Sequence, residues 1–238
     1  MRIVLIGYGK MGKAIEEVAL QRGHTVVLTI DQPNLHEFIK EKIADADVAI
    51  EFTTPHTAFD NVKKCIDLDI PVVCGTTGWT DRLDVMKKYC ASKNGVFVYS
   101  SNYSVGVNIF FEVNKKLAAL MAPHKEYEVI LEETHHTQKK DAPSGTAITL
   151  AEQILEQVKR KKQWVNELSD NTEDLEIISQ RIDPAPGTHS VKYSSVIDNI
   201  EIIHTAHNRT GFATGAILAA EFIIDKKGFF TMKEVLHL

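Results

Sequence analysis

A glycine fingerprint near the start constrains this chain more than any other feature. Gly7-x-Gly9-x-x-Gly12 follows directly on the apolar run Arg2 to Ile6 and opens a helical pattern with Met11, Ile15, Val18 and Ala19 on one face. Strand, glycine turn and helix in that order build a cradle for a pyrophosphate. The first glycine permits the tight turn, the second lets the backbone approach the phosphates, and the third lets helix and strand pack closely. Tyr8, Lys10 and Met11 lie between these glycines, and the helix start offers amides with no acceptor of their own. Asp31 closes the β-branched run Thr25 to Ile30, where a carboxylate takes the ribose hydroxyls of a dinucleotide. Gln32 follows, not a base, so a 2′-phosphate would meet a carboxylate with no adjacent cation. That leans the expected cofactor toward NADH and leaves NADPH open.

The runs Asp47 to Glu51, Pro71 to Cys74 and Gly95 to Tyr99 read as further strands with helical segments between them. Such alternation implies right-handed crossovers and a parallel, doubly wound sheet. Loops at the carboxyl ends of its strands line the ligand crevice. Gly75, Thr76 and Thr77 after the fourth strand, and Ser100, Ser101, Asn102 and Tyr103 after the fifth, are therefore candidate cofactor contacts. An ordinary turn is the competing reading of each.

From Ser104 the pattern changes. Ile109 to Met121 reads as one amphipathic helix, Tyr127 to Glu132 as a strand, and Thr146 to Arg160 as a helix entered through Ser144-Gly145. Ser190 to Ile197 and Ile200 to Thr205 read as strands of a hairpin joined at Asp198-Asn199, while Lys161 to Asp183 reads as an irregular surface segment. The expected fold class is thus α/β: a Rossmann-like doubly wound cofactor domain of residues 1–103 and 211–238, with a helix over Ala216 to Ile224. Residues 104–210 form an inserted α+β domain with a mixed sheet.

The formal net charge of −5 gives no electrostatic case for nucleic acid or an anionic membrane as partner. No apolar run spans a bilayer and no signal-peptide pattern opens the chain, so the expected location is cytoplasmic. Cys65, Cys74 and Cys90 match no zinc or redox spacing and read as small buried hydrophobes.

Proton chemistry is concentrated in Glu132-Glu133-Thr134-His135-His136-Thr137-Gln138-Lys139-Lys140-Asp141-Ala142-Pro143-Ser144-Gly145-Thr146. Histidine exchanges protons near neutrality, and lysine becomes a usable acid where burial or nearby cations lower its pKa. His135 and Lys139 are the candidate catalytic pair, and either could deliver the proton. Gly145 and Thr146 open a helix whose amides could grip a carboxylate, with Ser144 as its cap. The other histidines show no HExxH or comparable spacing, so no metal is expected. A binding protein that senses NADH without turnover would need no proton donor, and another two-domain oxidoreductase of a different acid is the nearer alternative.

These residues carry a family resemblance. Glu132-x-x-His135-His136-x-x-Lys139-x-Asp141-Ala142-Pro143-Ser144-Gly145-Thr146-Ala147 closely resembles the signature of the 4-hydroxy-tetrahydrodipicolinate (dihydrodipicolinate) reductases. Supporting matches are the opening glycines, Gly75-Thr76-Thr77-Gly78, the segment Asn102 to Asn108, and Ile202-x-His204-x-Ala206-x-x-Arg209. The resemblance implies NAD(P)H-dependent reduction of a cyclic dicarboxylate in lysine biosynthesis through diaminopimelate, by a homotetramer assembled through the sheet of the inserted domain. It implies His135 as acid/base, Lys139 as proton donor, and His136, Ser144, Gly145 and Thr146 as substrate-carboxylate binders. Gly7 to Gly12, Asp31, Gly75 to Thr77 and Ser100 to Tyr103 would contact the cofactor.

Overall fold

The computed structural model describes residues 1–238 and divides into two compact units, Met1–Val105 with Arg209–Leu238, and Gly106–Asn208. The chain begins β1 (Arg2–Ile6), α1 (Lys10–Gln21), β2 (Thr25–Ile30), α2 (Lys40–Ile43), β3 (Val48–Glu51), α3 (Pro55–Asp67), β4 (Val72–Cys74), α4 (Leu83–Ser92) and β5 (Val96–Tyr99). It continues through α5 (Val105–Met121), β6 (Glu128–His135), α6 (Gly145–Gln157), β7 (Gln163–Val165), β8 (Asp174–Arg181), β9 (Gly187–Ser194) and β10 (Asn199–Ala206). α7 (Thr210–Ile223), β11 (Gly228–Phe230) and α8 (Met232–Leu236) close it.

The first unit is a six-stranded sheet in the order β11-β5-β4-β3-β1-β2, with every pair parallel. Its inner strands β1, β3, β4 and β5 are buried almost throughout because both faces are covered. Ile3 and Leu5 of β1 pack with Ile15 and Val18 of α1 and Ala216 and Ile217 of α7. Val4 and Ile6 point the other way and pack with Val62 of α3 and Met86 of α4. Small residues let α7 come close: a Cβ on Gly215 would lie 1.6 Å from the Tyr103 carbonyl oxygen.

The second unit is a mixed five-stranded sheet in the order β10-β9-β6-β8-β7. β9 runs antiparallel to β10 and β6, while β8 runs parallel to β6 and β7. α5 and α6 contribute Phe110, Ala118, Leu150, Ala151 and Ile154 to a core shared with Leu131, Ile177, Val191 and Tyr193 of the sheet.

Several elements differ from the sequence reading. The stretch expected to be irregular, Lys161 to Asp183, holds β7 and β8, and β8 pairs on both edges. Its inward residues Leu175 and Ile177 are buried, but Ile178 on the opposite face masks the alternation. β6 runs three residues further, to His135, because Glu133 and Thr134 pair with β9 on one side and β8 on the other. α5 starts four residues earlier than expected, at Val105, and α7 six residues earlier, at Thr210. β9 ends at Ser194, and the Ser195 hydroxyl, accepting from the Ile197 and Asp198 amides, makes the turn there. Val196 and Ile197 extend the β-branched run past the strand, but they are exposed at that turn.

Candidate active site

Glu133, His135, Ser179, Arg181 and His189 share one face of the mixed sheet. β6 turns Val129, Leu131, Glu133 and His135 to its buried side. Register sets Leu131 beside Ile177 and Val191, Glu133 beside Ser179 and His189, and His135 beside Arg181. Side chains two apart share a face, so three adjacent strands change from apolar to polar at the same level. The core row is followed by a row of carboxylate, hydroxyl and imidazole, then by a row of imidazole and guanidinium.

Glu133 is the centre of this arrangement and is 1% exposed. Both its oxygens accept from the Ser144 amide at 3.1 Å. Oε1 also accepts from Ser179 Oγ at 2.8 Å and Arg181 Nη2 at 3.2 Å. Oε2 lies 3.4 Å from His135 Nδ1 and 3.6 Å from His189 Nε2. Burial pushes the carboxyl pKa up, but hydrogen bonds from His189, Ser144 and Ser179, with the nearby His135, hold it well below the usual carboxylate range.

His135 ends β6 and is buried. Burial pushes its pKa down to about 4; Glu133 opposes this, while His189, Lys139 and Arg181 add to it. The ring is therefore neutral at pH 7. It stands edge-on to His189 with centroids 5.0 Å apart. A Cβ at Gly187 would come within 3.1 Å of His135 Nε2, so a glycine there lets the start of β9 approach the ring.

Lys139 sits on the turn after β6, with its amide donating to the His136 carbonyl at 3.1 Å. Its ammonium donates to both oxygens of Asp141 at 2.9 Å. Arg181 fastens this turn from below, donating from Nε to the Lys139 carbonyl at 3.4 Å and from Nη2 to the Asp141 carbonyl. His136 is half-buried. Ser144 caps α6, its hydroxyl accepting from the Ala147 amide at 3.2 Å and lying 3.0 Å from His189 Nε2. Its amide and hydroxyl are thus both engaged within the unit. Gly145, the next residue, is exposed, and a Cβ there would meet nothing within 4 Å. Thr146 follows it in the first turn of α6, half-buried.

The sequence alone gives no role to Glu133, Ser179, Arg181 or His189. The signal lay in alternation: with 174–181 read as a strand, Leu175, Ile177, Ser179 and Arg181 fall on one face. Ligand atoms of Glu133, His135 and His189 lie within 4.8 Å of one another, a group of metal-ligating types that chain spacing did not show. The Arg181 guanidinium already supplies positive charge to that carboxylate.

The first unit places the other candidates around its glycine turn. Gly7 has φ +93°, and a Cβ there would lie 2.0 Å from the Phe52 carbonyl oxygen. A Cβ on Gly12 would lie 2.3 Å from the Gly7 oxygen. Gly9, by contrast, is the N-cap of α1, has no side-chain cap and faces open space. Lys10 and Met11 begin that helix, and Tyr8 donates its hydroxyl to Glu16. Asp31 accepts from the Gln32 amide at 2.8 Å and the Tyr8 amide at 3.4 Å. Backbone crowding below Gly7 and Gly12, with space above Gly9, fits a pyrophosphate on the α1 amides.

Gly75 packs against the Phe52 ring, where a Cβ would come within 2.1 Å. The Thr76 hydroxyl accepts from the Thr53 amide at 2.7 Å, and Thr77 is exposed. Ser100 and Asn102 close the turn after β5, with Ser101 exposed between them. The Tyr103 side chain is buried, its hydroxyl donating to the Cys74 carbonyl at 2.8 Å. A cofactor contact from Tyr103 would have to come from its backbone. No helix is long and apolar enough to cross a membrane.

Comparison with known proteins places these features in one family. Residues 1–103 match the model described as dihydrodipicolinate reductase, N-terminus, and residues 106–236 the model for its C-terminus. A 4-hydroxy-tetrahydrodipicolinate reductase of Christiangramia forsetii is 48% identical, covering 99% of this chain and 98% of that protein. One from Thermosipho africanus is 35% identical over the same shares. Among solved structures, the dipicolinate-bound dihydrodipicolinate reductase of Paenisporosarcina sp. TG-14 has the same fold, with a TM-score of 0.77 at 22% identity over 98% of each chain. An amine dehydrogenase of Mycobacterium smegmatis shares the fold more loosely, with a TM-score of 0.59 at 10% identity. With family models matching nearly its whole length and a relative this similar, the chain belongs to the dihydrodipicolinate reductase family.

Proposed function

We propose that the chain reduces (2S,4S)-4-hydroxy-2,3,4,5-tetrahydrodipicolinate to tetrahydrodipicolinate at the expense of NADH or NADPH. The observation that carries this is the 48% identity, across 99% of the chain, to a protein named for that activity. The net change adds one hydride and one proton and releases the 4-hydroxyl as water. The reduced nicotinamide supplies the hydride when bound. Gly7 to Gly12 would hold its pyrophosphate, Asp31 its ribose, and the loops at Gly75 to Thr77 and Ser100 to Tyr103 its remaining polar groups. With Gln32 beside Asp31, NADH is the favoured form.

In the second unit, Lys139 carries the proton and His135 shapes its surroundings. A ring with a pKa of about 4 is neutral at pH 7, whereas the Lys139 ammonium sits part-exposed on Asp141. Lys139 Nζ is therefore the group loaded to donate before substrate binds. A dicarboxylate substrate would compete with Asp141 for that ammonium. Its carboxylates would lie on the first turn of α6 at Gly145 and Thr146, beside Ser144 and His136. Positive charge held there also offsets negative charge developing on the ring during reduction. Copies would associate as a homotetramer through the mixed sheet, whose β10 edge exposes Ile200 and Ile203, in the cytoplasm.

The test is loss of NADH or NADPH absorbance with the dicarboxylate present and absent. Oxidation that depends on the dicarboxylate supports the proposal. Tight dinucleotide binding without oxidation would overturn it in favour of a sensor.

A further inference from the structure

We infer that Glu133 is a positioning residue that aims both halves of the proton-transfer and carboxylate-binding site from one buried charge. This rests on the function proposed above. Three other segments of the second unit, and a neighbour on its own strand, end on this carboxylate. The Ser144 amide, at the entrance to α6, donates to both its oxygens at 3.1 Å. Ser179 and Arg181, on β8, donate at 2.8 and 3.2 Å. His135, on the same strand, and His189, on β9, flank the remaining oxygen at 3.4 and 3.6 Å.

Three of those contacts lead to a group with a proposed role. Through Ser144 the carboxylate fixes where α6 begins, and so where Gly145 and Thr146 present the helix start. Through Arg181 it fixes the turn bearing Lys139, because the same guanidinium holds the carbonyls of Lys139 and Asp141. Directly, it faces the ring of His135. A buried polar group that satisfies several donors at once sets their geometry together, and each donor loses its aim if the charge goes.

The chemistry requires a carboxylate. Oε1 accepts from three donors, and Arg181 needs a negative partner inside the unit. An amide keeps the shape and one accepting oxygen but turns the other terminus into a donor and removes the charge. Glu133 touches no reacting atom under this assignment, so its effect passes wholly through the groups it holds. Lysine at 181 would keep a charge opposite Glu133 but lacks the fork that reaches two carbonyls and a carboxylate together.

The test is steady-state kinetics of full-length Glu133→Gln, Arg181→Lys and Lys139→Ala, with melting curves to confirm folding. Displacements near 1 Å at a reacting group cost on the order of 10²-fold. Glu133→Gln should therefore lower kcat by about that factor and also raise KM for the dicarboxylate, with KM for the dinucleotide unchanged. Arg181→Lys should lower kcat while leaving KM for the dicarboxylate near the parent value, since Ser144 keeps its acceptor. A merely structural role would lower the active fraction and leave both KM values alone. Parent-like kcat and KM in Glu133→Gln, beside an impaired Lys139→Ala, overturn this inference alone. A parent-like Lys139→Ala overturns the site assignment, and this inference with it. Should Glu133→Gln fail to fold, Arg181→Lys decides: an unchanged kcat there refutes the shared anchor.

Discussion

The glycine turn of the first unit and the Glu133 row of the second are built by opposite means. The turn spans six consecutive residues and works through backbone: Gly7 and Gly12 leave no room for a Cβ, and Gly9 leaves space above a helix start. The row gathers side chains from three strands and one main-chain amide, and its contacts are donors and charges around one buried carboxylate. What each tolerates differs accordingly. The turn is sensitive to added volume and indifferent to charge, whereas the row is sensitive to charge at constant volume.

The comparison is put under most strain by Lys139→Ala. The turn after β6 is held by Arg181 and by Asp183, which accepts from the Thr137 amide at 3.1 Å, so the backbone should keep its place without the ammonium. Losing one proton donor costs roughly 10²–10⁴ in turnover. Single-turnover measurement of dinucleotide oxidation should show that loss, with dinucleotide affinity unchanged. A loss of affinity instead would mean that the two regions do not divide the work as described.

The same contrast explains what the sequence revealed. Contiguous, backbone-based features were legible: the glycine spacing, Asp31 at a strand end and the Pro-Ser-Gly-Thr helix entry all announce themselves by order along the chain. The Glu133 row did not, because Glu133, Ser179 and His189 meet only through the register of β6 with β8 and β9. β8 itself was hidden by Ile178 and by the polar residues of its solvent face. β11 was hidden for another reason: three residues, all half-buried, give too short a run for periodicity to act on.

Acid should weaken the row before it affects the turn. His135 has a folded pKa of about 4 against an ordinary 6.5, so between those values the unfolded chain binds the extra proton and stability falls as pH falls. The contribution is intact above pH 6.5 and exhausted near pH 4, and such a span corresponds to on the order of 3 kcal/mol. Glu133, with its pKa depressed, adds its own loss only below the ordinary carboxylate range. Burial also lowers the pKa of His204, so His135→Asn should shrink the slope and not abolish it. Urea unfolding of both proteins at pH 7 and pH 5 reads this directly, and equal differences would remove His135 from the account.

Two glycines then separate volume from function within the turn. Gly7→Ala forces a side chain into φ +93° and against the Phe52 carbonyl, a conformation that costs about 1–3 kcal/mol before any clash is relieved. Gly9→Ala meets nothing in the free protein and should leave its melting temperature unchanged. Both should raise KM for the dinucleotide, but only the first should lower stability. A melting temperature lowered equally by both would show that Gly9 is structural and that the space above it is not a phosphate seat.

The smallest effect is expected at Gln32, where charge should matter even in the first unit. Asp31 is tied down by its neighbours: its carboxylate accepts from the Gln32 amide at 2.8 Å, and its own amide donates to Asn34 Oδ1 at 2.8 Å. Asn34 in turn donates to Glu37 at 2.8 Å, so two carboxylates stand beside the end of β2. Gln32 joins this network through its backbone, and its side chain is exposed. Gln32→Arg therefore leaves the network whole and adds one cation where a 2′-phosphate would lie. An exposed pair of this kind is worth about 1 kcal/mol or less, so the NADPH-to-NADH ratio of kcat/KM should rise by a few-fold, up to about fivefold. Kinetics with both cofactors on parent and variant measure it. An unchanged ratio would place the 2′ position away from Asp31 and confine the role of this strand end to holding the glycine turn.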